Sequence, residues 1–125
     1  MLNRITNKNR ISALLLLALV VSSFLASAQD KPSKFKKQAL LYERYGDVYG
    51  AIEKYEKYIQ DSPNRPYTTF HLAQLYEDIR DYENAKKHYA AVYDLKPKKY
   101  AKALYHQGIM AKMLGEYEEA IQLLT

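Results

Sequence analysis

The stretch Thr69–Pro97, TFHLAQLYEDIRDYENAKKHYAAVYDLKP, decides the fold. It carries Leu72-Ala73, then Tyr76, Ala85, Tyr89 and finally Pro97. One period earlier stand Gln38-Ala39, Tyr42, Ala51, Tyr55 and Pro63, and one period later Gln107-Gly108, Ala111, Ala120 and Leu124. The step from Ala51 to Ala85 is 34 residues, and that from Ala85 to Ala120 is 35. A fixed period of this length, each copy holding two helical stretches, marks stacked helix–turn–helix units.

The spacing has a packing reason. A small residue on the first helix of each unit (Ala39, Ala73, Gly108) lets it approach the second, whose own small residue (Ala51, Ala85, Ala120) faces it. Tyr42 with Tyr55, and Tyr76 with Tyr89, are expected to fill the space on either side. Helices are predicted near residues 34–45, 48–60, 67–79, 82–95 and 100–114, and a last one opens at Tyr117. Gly46 and Gly115 are the predicted stops, while Ser33, Asp47 and Asp81 are predicted caps.

In Phe35-x2-Gln38-Ala39-x2-Tyr42 with Ala51-x3-Tyr55, and in Thr69-x2-Leu72-Ala73-x2-Tyr76 with Ala85-x3-Tyr89, the pattern resembles the tetratricopeptide repeat family. The third unit reads Leu104-x2-Gln107-Gly108 and Ala120-x3-Leu124, with Ala111 where the family has Tyr. Tyr58 and Val92 stand where the family prefers a small residue. The resemblance implies an all-α, right-handed α-solenoid of antiparallel helix pairs, with about two and a half to three repeats. The units fall at about 33–65, 66–99 and 100–125, the last truncated. Solenoids need a polar final face, and Ile121, Leu123 and Leu124 lack a partner in sequence, so the 125 residues read as the N-terminal piece of a longer chain.

Ahead of the repeats, Arg4, Lys8 and Arg10 precede a 13-residue run from Ala13 to Leu25, apolar except for Ser22 and Ser23, and Ala26-Ser27-Ala28 follows. A charged segment, a short apolar core and an A-x-A site make residues 1–28 a signal peptide, with cleavage expected between Ala28 and Gln29. The run is too short for a transmembrane anchor, which needs about 20 apolar residues. Residues 29–32 form a linker before the repeat domain at 33–125. The mature chain is therefore expected in the periplasm or the outer-membrane-associated cell envelope. Without the first 28 residues the net charge falls from +5 to +2, a weak field for a nucleic-acid binder. Absence of Cys excludes disulfides and thiolate-ligated metal.

No phosphate loop or nucleophile elbow is present, so the chain reads as non-catalytic and without a cofactor. His71, His88 and His106 lack the spacing of a metal site and read as polar groups of the surface or groove, with His71 and His106 in equivalent positions. Glu77, Asp78, Asp81 and Glu83 read as a solvated helix face with its cap.

The tetratricopeptide resemblance implies a concave groove lined by the first helices, at Lys36, Leu40 and Glu43, then Phe70, Gln74 and Glu77, then Tyr105, Ile109 and Lys112. It implies a protein or peptide partner. Leu40 and Gln74 replace the Asn that carboxylate-clamping members use. The alternative is that this face packs on neighbouring domains of a longer chain. Lysine clusters at 31–37 and 96–102, interleaved with Tyr, make an RNA-binding array the remote alternative, against which export argues. The Ala-Gln-Asp leader with Tyr-rich repeats is also similar to Gram-negative envelope proteins in which such a segment precedes a β-propeller and a peptidoglycan-binding domain of the outer-membrane-protein-A type. Some of those serve type IX secretion or envelope attachment.

Overall fold

A computed structural model describes residues 31–125; the expected signal peptide and its cleavage site lie outside the described residues. Of the described residues, 32–125 form one compact unit. It is built from six helices: α1 (Lys31–Arg44), α2 (Val48–Asp61), α3 (Pro66–Asp78), α4 (Tyr82–Leu95), α5 (Ala101–Met113) and α6 (Tyr117–Leu124). Among the described residues there is no strand, and no helix is long and apolar enough to cross a membrane.

The turn between the two helices of each unit is made the same way three times. Gly46, Arg80 and Gly115 occupy equivalent positions and all have positive φ, at 75°, 62° and 81°. This left-handed residue turns the chain so that the next amide reaches back: Asp47 N donates to Tyr42 O, Asp81 N to Tyr76 O and Glu116 N to Ala111 O, each at 2.9 Å. Asp47 and Asp81 then cap the second helices through the amides of Gly50 and Asn84. Glu116 makes no such bond; its carboxylate instead receives Lys86. Ser33 does not cap α1 but lies inside its first turn, because the helix already begins at Lys31.

Helices of 13 or 14 residues are marginal alone in water, so stability has to come from stacking. One cluster joins Ala39, Ala51, Ile52, Tyr55, Leu72 and Leu75 across α1, α2 and α3. A second joins Ala73, Ala85, Tyr89, Val92, Ala103 and Met110 across α3, α4 and α5. Every small residue read as a close-approach position is buried, including Ala39, Ala51, Ala73 and Ala85 at 0 % exposure. At Gly108 a Cβ would sit 2.7 Å from Leu124 Cγ, because Leu124 occupies the place that Tyr55 and Tyr89 hold in the earlier units. Tyr58 and Val92 are buried despite their bulk. Tyr42 departs from the core expectation: it is exposed, and its ring lies over the bare backbone of Gly50.

Candidate partner-binding face

The first helices α1, α3 and α5 are joined by a polar seam repeated at the unit period. In the first copy, Glu43 on α1 accepts from Tyr55 Oη on α2 at 2.8 Å and from His71 Nε2 on α3 at 2.6 Å. In the second, Glu77 on α3 accepts from Tyr89 Oη on α4 at 2.6 Å, and His106 Nδ1 on α5 stands 3.5 Å away. Each carboxylate thus ties its own unit together and reaches the first helix of the next. Burial first, and the adjoining carboxylate second, pushes the Tyr55 and Tyr89 hydroxyls far above the ordinary phenol value, so both remain donors. The two copies differ in ring geometry: Tyr55 and His71 meet edge to face at 5.4 Å, whereas Tyr89 and His106 stack at 4.8 Å.

A third Glu, Tyr and His set lies on other faces of the helices. Glu56 Oε1 on α2 accepts from Tyr76 Oη and from His88 Nε2, both at 2.9 Å, and the two rings stack with 8° between their planes. The bond from His88 is the main reason that Glu56 sits below its ordinary value, outweighing the partial burial that opposes it. His88 is only 6 % exposed, so it is a core residue and not the surface or groove group its sequence position suggested. It is buried because Glu56 supplies the hydrogen bond that a polar group needs away from water. Glu77 likewise does more than belong to a solvated acidic face, since it accepts from Tyr89.

The nine residues expected along the groove fall into distinct environments. Leu40, Gln74, Tyr105 and Lys112 are exposed and available to a partner. Glu43 and Glu77 are half-buried and engaged in the seam. Phe70 packs against Tyr89 at 5.5 Å, Tyr100 at 5.7 Å and His106 at 6.1 Å, which makes it partly a core group. Ile109 is half-buried against the second core cluster. Lys36 lies 6.0 Å from the ring of Tyr58, at the edge of a separate basic depression, while Lys112 lines a cleft of about 300 Å³ with Tyr117, Ile121 and Leu124 of α6. Sequence reading placed His71 and His106 at the surface or groove but did not connect them, or Tyr55 and Tyr89, to Glu43 and Glu77. The signal that would have found them is the joint recurrence of Glu, Tyr and His at one period, 43–55–71 and 77–89–106.

Among the described residues no group of three or more His, Asp or Glu is placed to hold a metal ion. The geometry offers exposed apolar and polar side chains on the first helices, with Glu43 and Glu77 beneath them bonded to Tyr55, His71 and Tyr89.

Residues 102–125 match the family model described as Tetratricopeptide repeat. No curated protein matches the sequence. Among solved structures, a crystal structure of MamA protein superposes with a TM-score of 0.66 at 25% identity, covering 76% of this chain and 51% of that one. The chain thus spans about half of that relative's length. The second TPR of Spaghetti (RPAP3), bound to the HSP90 peptide SRMEEVD, gives a TM-score of 0.63 at 26% identity over 78% of this chain and 92% of that chain. The Sgt2 TPR domain from Aspergillus fumigatus shares the fold, with a TM-score of 0.59 at 20% identity over 74% and 61% of the two chains. Repeat period, the family model over residues 102–125 and the superpositions agree on a tetratricopeptide-repeat fold for the described residues.

Proposed function

We propose that the protein is a non-catalytic interaction scaffold that holds a peptide or protein segment along α1, α3 and α5. The observation that carries this is the similarity to a peptide-bound tetratricopeptide domain over nearly that domain's whole length, combined with the exposure of Leu40 (50 %) and Tyr105 (58 %) on two of the three first helices. Exposed large apolar groups on a fixed helical face supply burial energy to a partner without any cost of ordering the scaffold. The seam beneath them ties the first helices to their neighbours. The reading of residues 1–28 as a signal peptide adds export to this proposal and puts the partner in the periplasm or cell envelope, where the scaffold serves as the N-terminal module of an envelope protein.

A displayed random-peptide library panned against the full chain tests it. Peptides should be enriched on the wild type and lose at least about ten-fold in affinity, roughly 1.4 kcal/mol, on the Leu40→Ser/Tyr105→Ala double variant. Both positions are exposed, so the variant keeps its fold. Enrichment that is equal on the two proteins would refute the assignment of the face. Export is tested separately, by fusing residues 1–40 to alkaline phosphatase; an inactive fusion retained in the cytoplasm would refute it.

A further inference from the structure

A depression of about 300 Å³ opens where the beginnings of the first helices meet, away from the exposed groove residues Gln74 and Tyr105. Its walls include Lys36 from α1, Tyr58 from the end of α2, Arg65 and Tyr67 from the start of α3, and Lys99 and Tyr100 from the turn before α5. Three cations thus line one depression, from α1, the start of α3 and the turn before α5, and no acidic side chain lines the space. Lys54 and Lys57 pair with Glu53, and Lys86 with Glu116 and Glu119, none of them near this depression. Lys36, Arg65 and Lys99 form no ion pair among the described residues.

Each cation stands beside a tyrosine ring. Lys36 Nζ lies 6.0 Å and Arg65 Cζ 5.9 Å from the centre of the Tyr58 ring, and Lys99 Nζ lies 5.7 Å from that of Tyr100. Tyr58 is the bulky residue that the repeat pattern did not expect, and its ring serves as the common platform for two of the three charges. Asn64 adopts a left-handed φ of 67° immediately before Arg65, which breaks the chain direction at the rim of the depression. The cap of α3 is Arg65 itself, with no side-chain acceptor for the first-turn amides.

We propose that this depression binds a phosphomonoester, taking the dianionic phosphoryl group between Lys36, Arg65 and Lys99 and resting the organic body on the tyrosine rings. The charge count selects the ligand class. A lone carboxylate satisfies one guanidinium and leaves two cations facing each other, whereas a tetrahedral dianion presents oxygens to all three. The volume exceeds what the phosphoryl group alone requires, and the aromatic walls suit the remainder of an ester. The same chemistry is carried by a free phosphorylated metabolite or by a phosphorylated side chain of a protein segment. This site stands independently of the peptide-binding face proposed above.

The test is a titration of the isotopically labelled full chain, followed through the amide signals of Tyr67, Thr68 and Tyr100. O-phosphoserine should shift them saturably, and glutamate should bind about ten-fold more weakly or worse, because it carries one charge fewer. Arg65→Gln and Lys99→Gln should each weaken O-phosphoserine about ten-fold while leaving the melting temperature and the peptide-library enrichment unchanged. A blocked tripeptide centred on phosphoserine distinguishes the sources: tighter binding than free O-phosphoserine assigns the site to protein segments, and weaker binding assigns it to small esters. Absence of a saturable shift overturns the proposal, as does equal binding of glutamate or indifference to both substitutions. Failure of the library enrichment with the titration intact would remove the peptide face and leave this site standing.

Discussion

The junction between the first and second units and the junction between the second and third are built on the same period from different chemistry. At the first, the seam set of Glu43, Tyr55 and His71 is backed by a second polar set, Glu56, Tyr76 and His88. At the second, the positions equivalent to that backing set are Ala90, Ala111 and Leu123, and no polar group remains there. An ion pair from Lys86 to Glu116 and Glu119 stands instead, and Phe70 draws Tyr89, Tyr100 and His106 into an aromatic group with no counterpart at the first junction. Repeat packing therefore fixes how close two units come, while the neighbouring side chains decide whether hydrogen bonds or aromatic contact hold them. To its seam the first junction adds a polar set whose carboxylate titrates in acid, and the second adds aromatic contact and an ion pair.

The largest test of this contrast is truncation of the two equivalent tyrosines. Tyr89 is 0 % exposed and stacks within the aromatic group, so Tyr89→Ala should cost about 3–5 kcal/mol of unfolding free energy in a urea titration, as large aromatic truncations in cores do. Tyr55→Ala, at a site with fewer aromatic neighbours, should cost measurably less. Equal losses would show that the aromatic group adds nothing to the second junction.

A smaller and more diagnostic effect is expected at Glu56. Its carboxyl is held below the ordinary value of 4.5, chiefly by the bond from His88, and Tyr76 also donates to it. A depressed folded-state value means that the stabilisation is fully present above 4.5 and is lost as the pH falls through the lowered value. Glu56→Gln should cost about 1–2 kcal/mol at neutral pH, because a charged acceptor becomes a neutral one beside a buried His. It should also flatten the fall in melting temperature on the acid side of that range. An unchanged acid profile would show that the first junction is not the acid-sensitive one.

The smallest effect is a gain. Arg80 holds the left-handed turn position that glycine fills at 46 and 115, and a side chain there costs strain that glycine avoids. Arg80→Gly should raise stability by about 0.5–1 kcal/mol in thermal melts. The substitution lies between the junctions, so it should leave the difference between Tyr55→Ala and Tyr89→Ala unchanged.

Much of the fold was legible because a solenoid is a local object: its period, caps and close-approach residues each depend on neighbours within one unit. Asp47, Asp81, Gly46 and Gly115 announced the turns, and the small residues announced the helix pairs. The candidate face was less legible. Position in the repeat places Glu43, Glu77 and Phe70 on the first helices, but whether such a residue is free for a partner depends on what the next unit brings opposite it. His71 and His106 engage or approach the two carboxylates, and Tyr89 and Tyr100 enclose Phe70.

The sequence by itself therefore determined the helix pairs, their order and their spacing, since these follow from periodic burial and capping along the chain. Only the tertiary structure decided which charges pair and which stand free. Glu56 meets His88 across 32 residues of chain, and Lys36, Arg65 and Lys99 line one depression from α1, the start of α3 and the turn before α5. Electrostatic partnership depends on distance in space, and each unit offers its side chains to a neighbour whose sequence sets the answer.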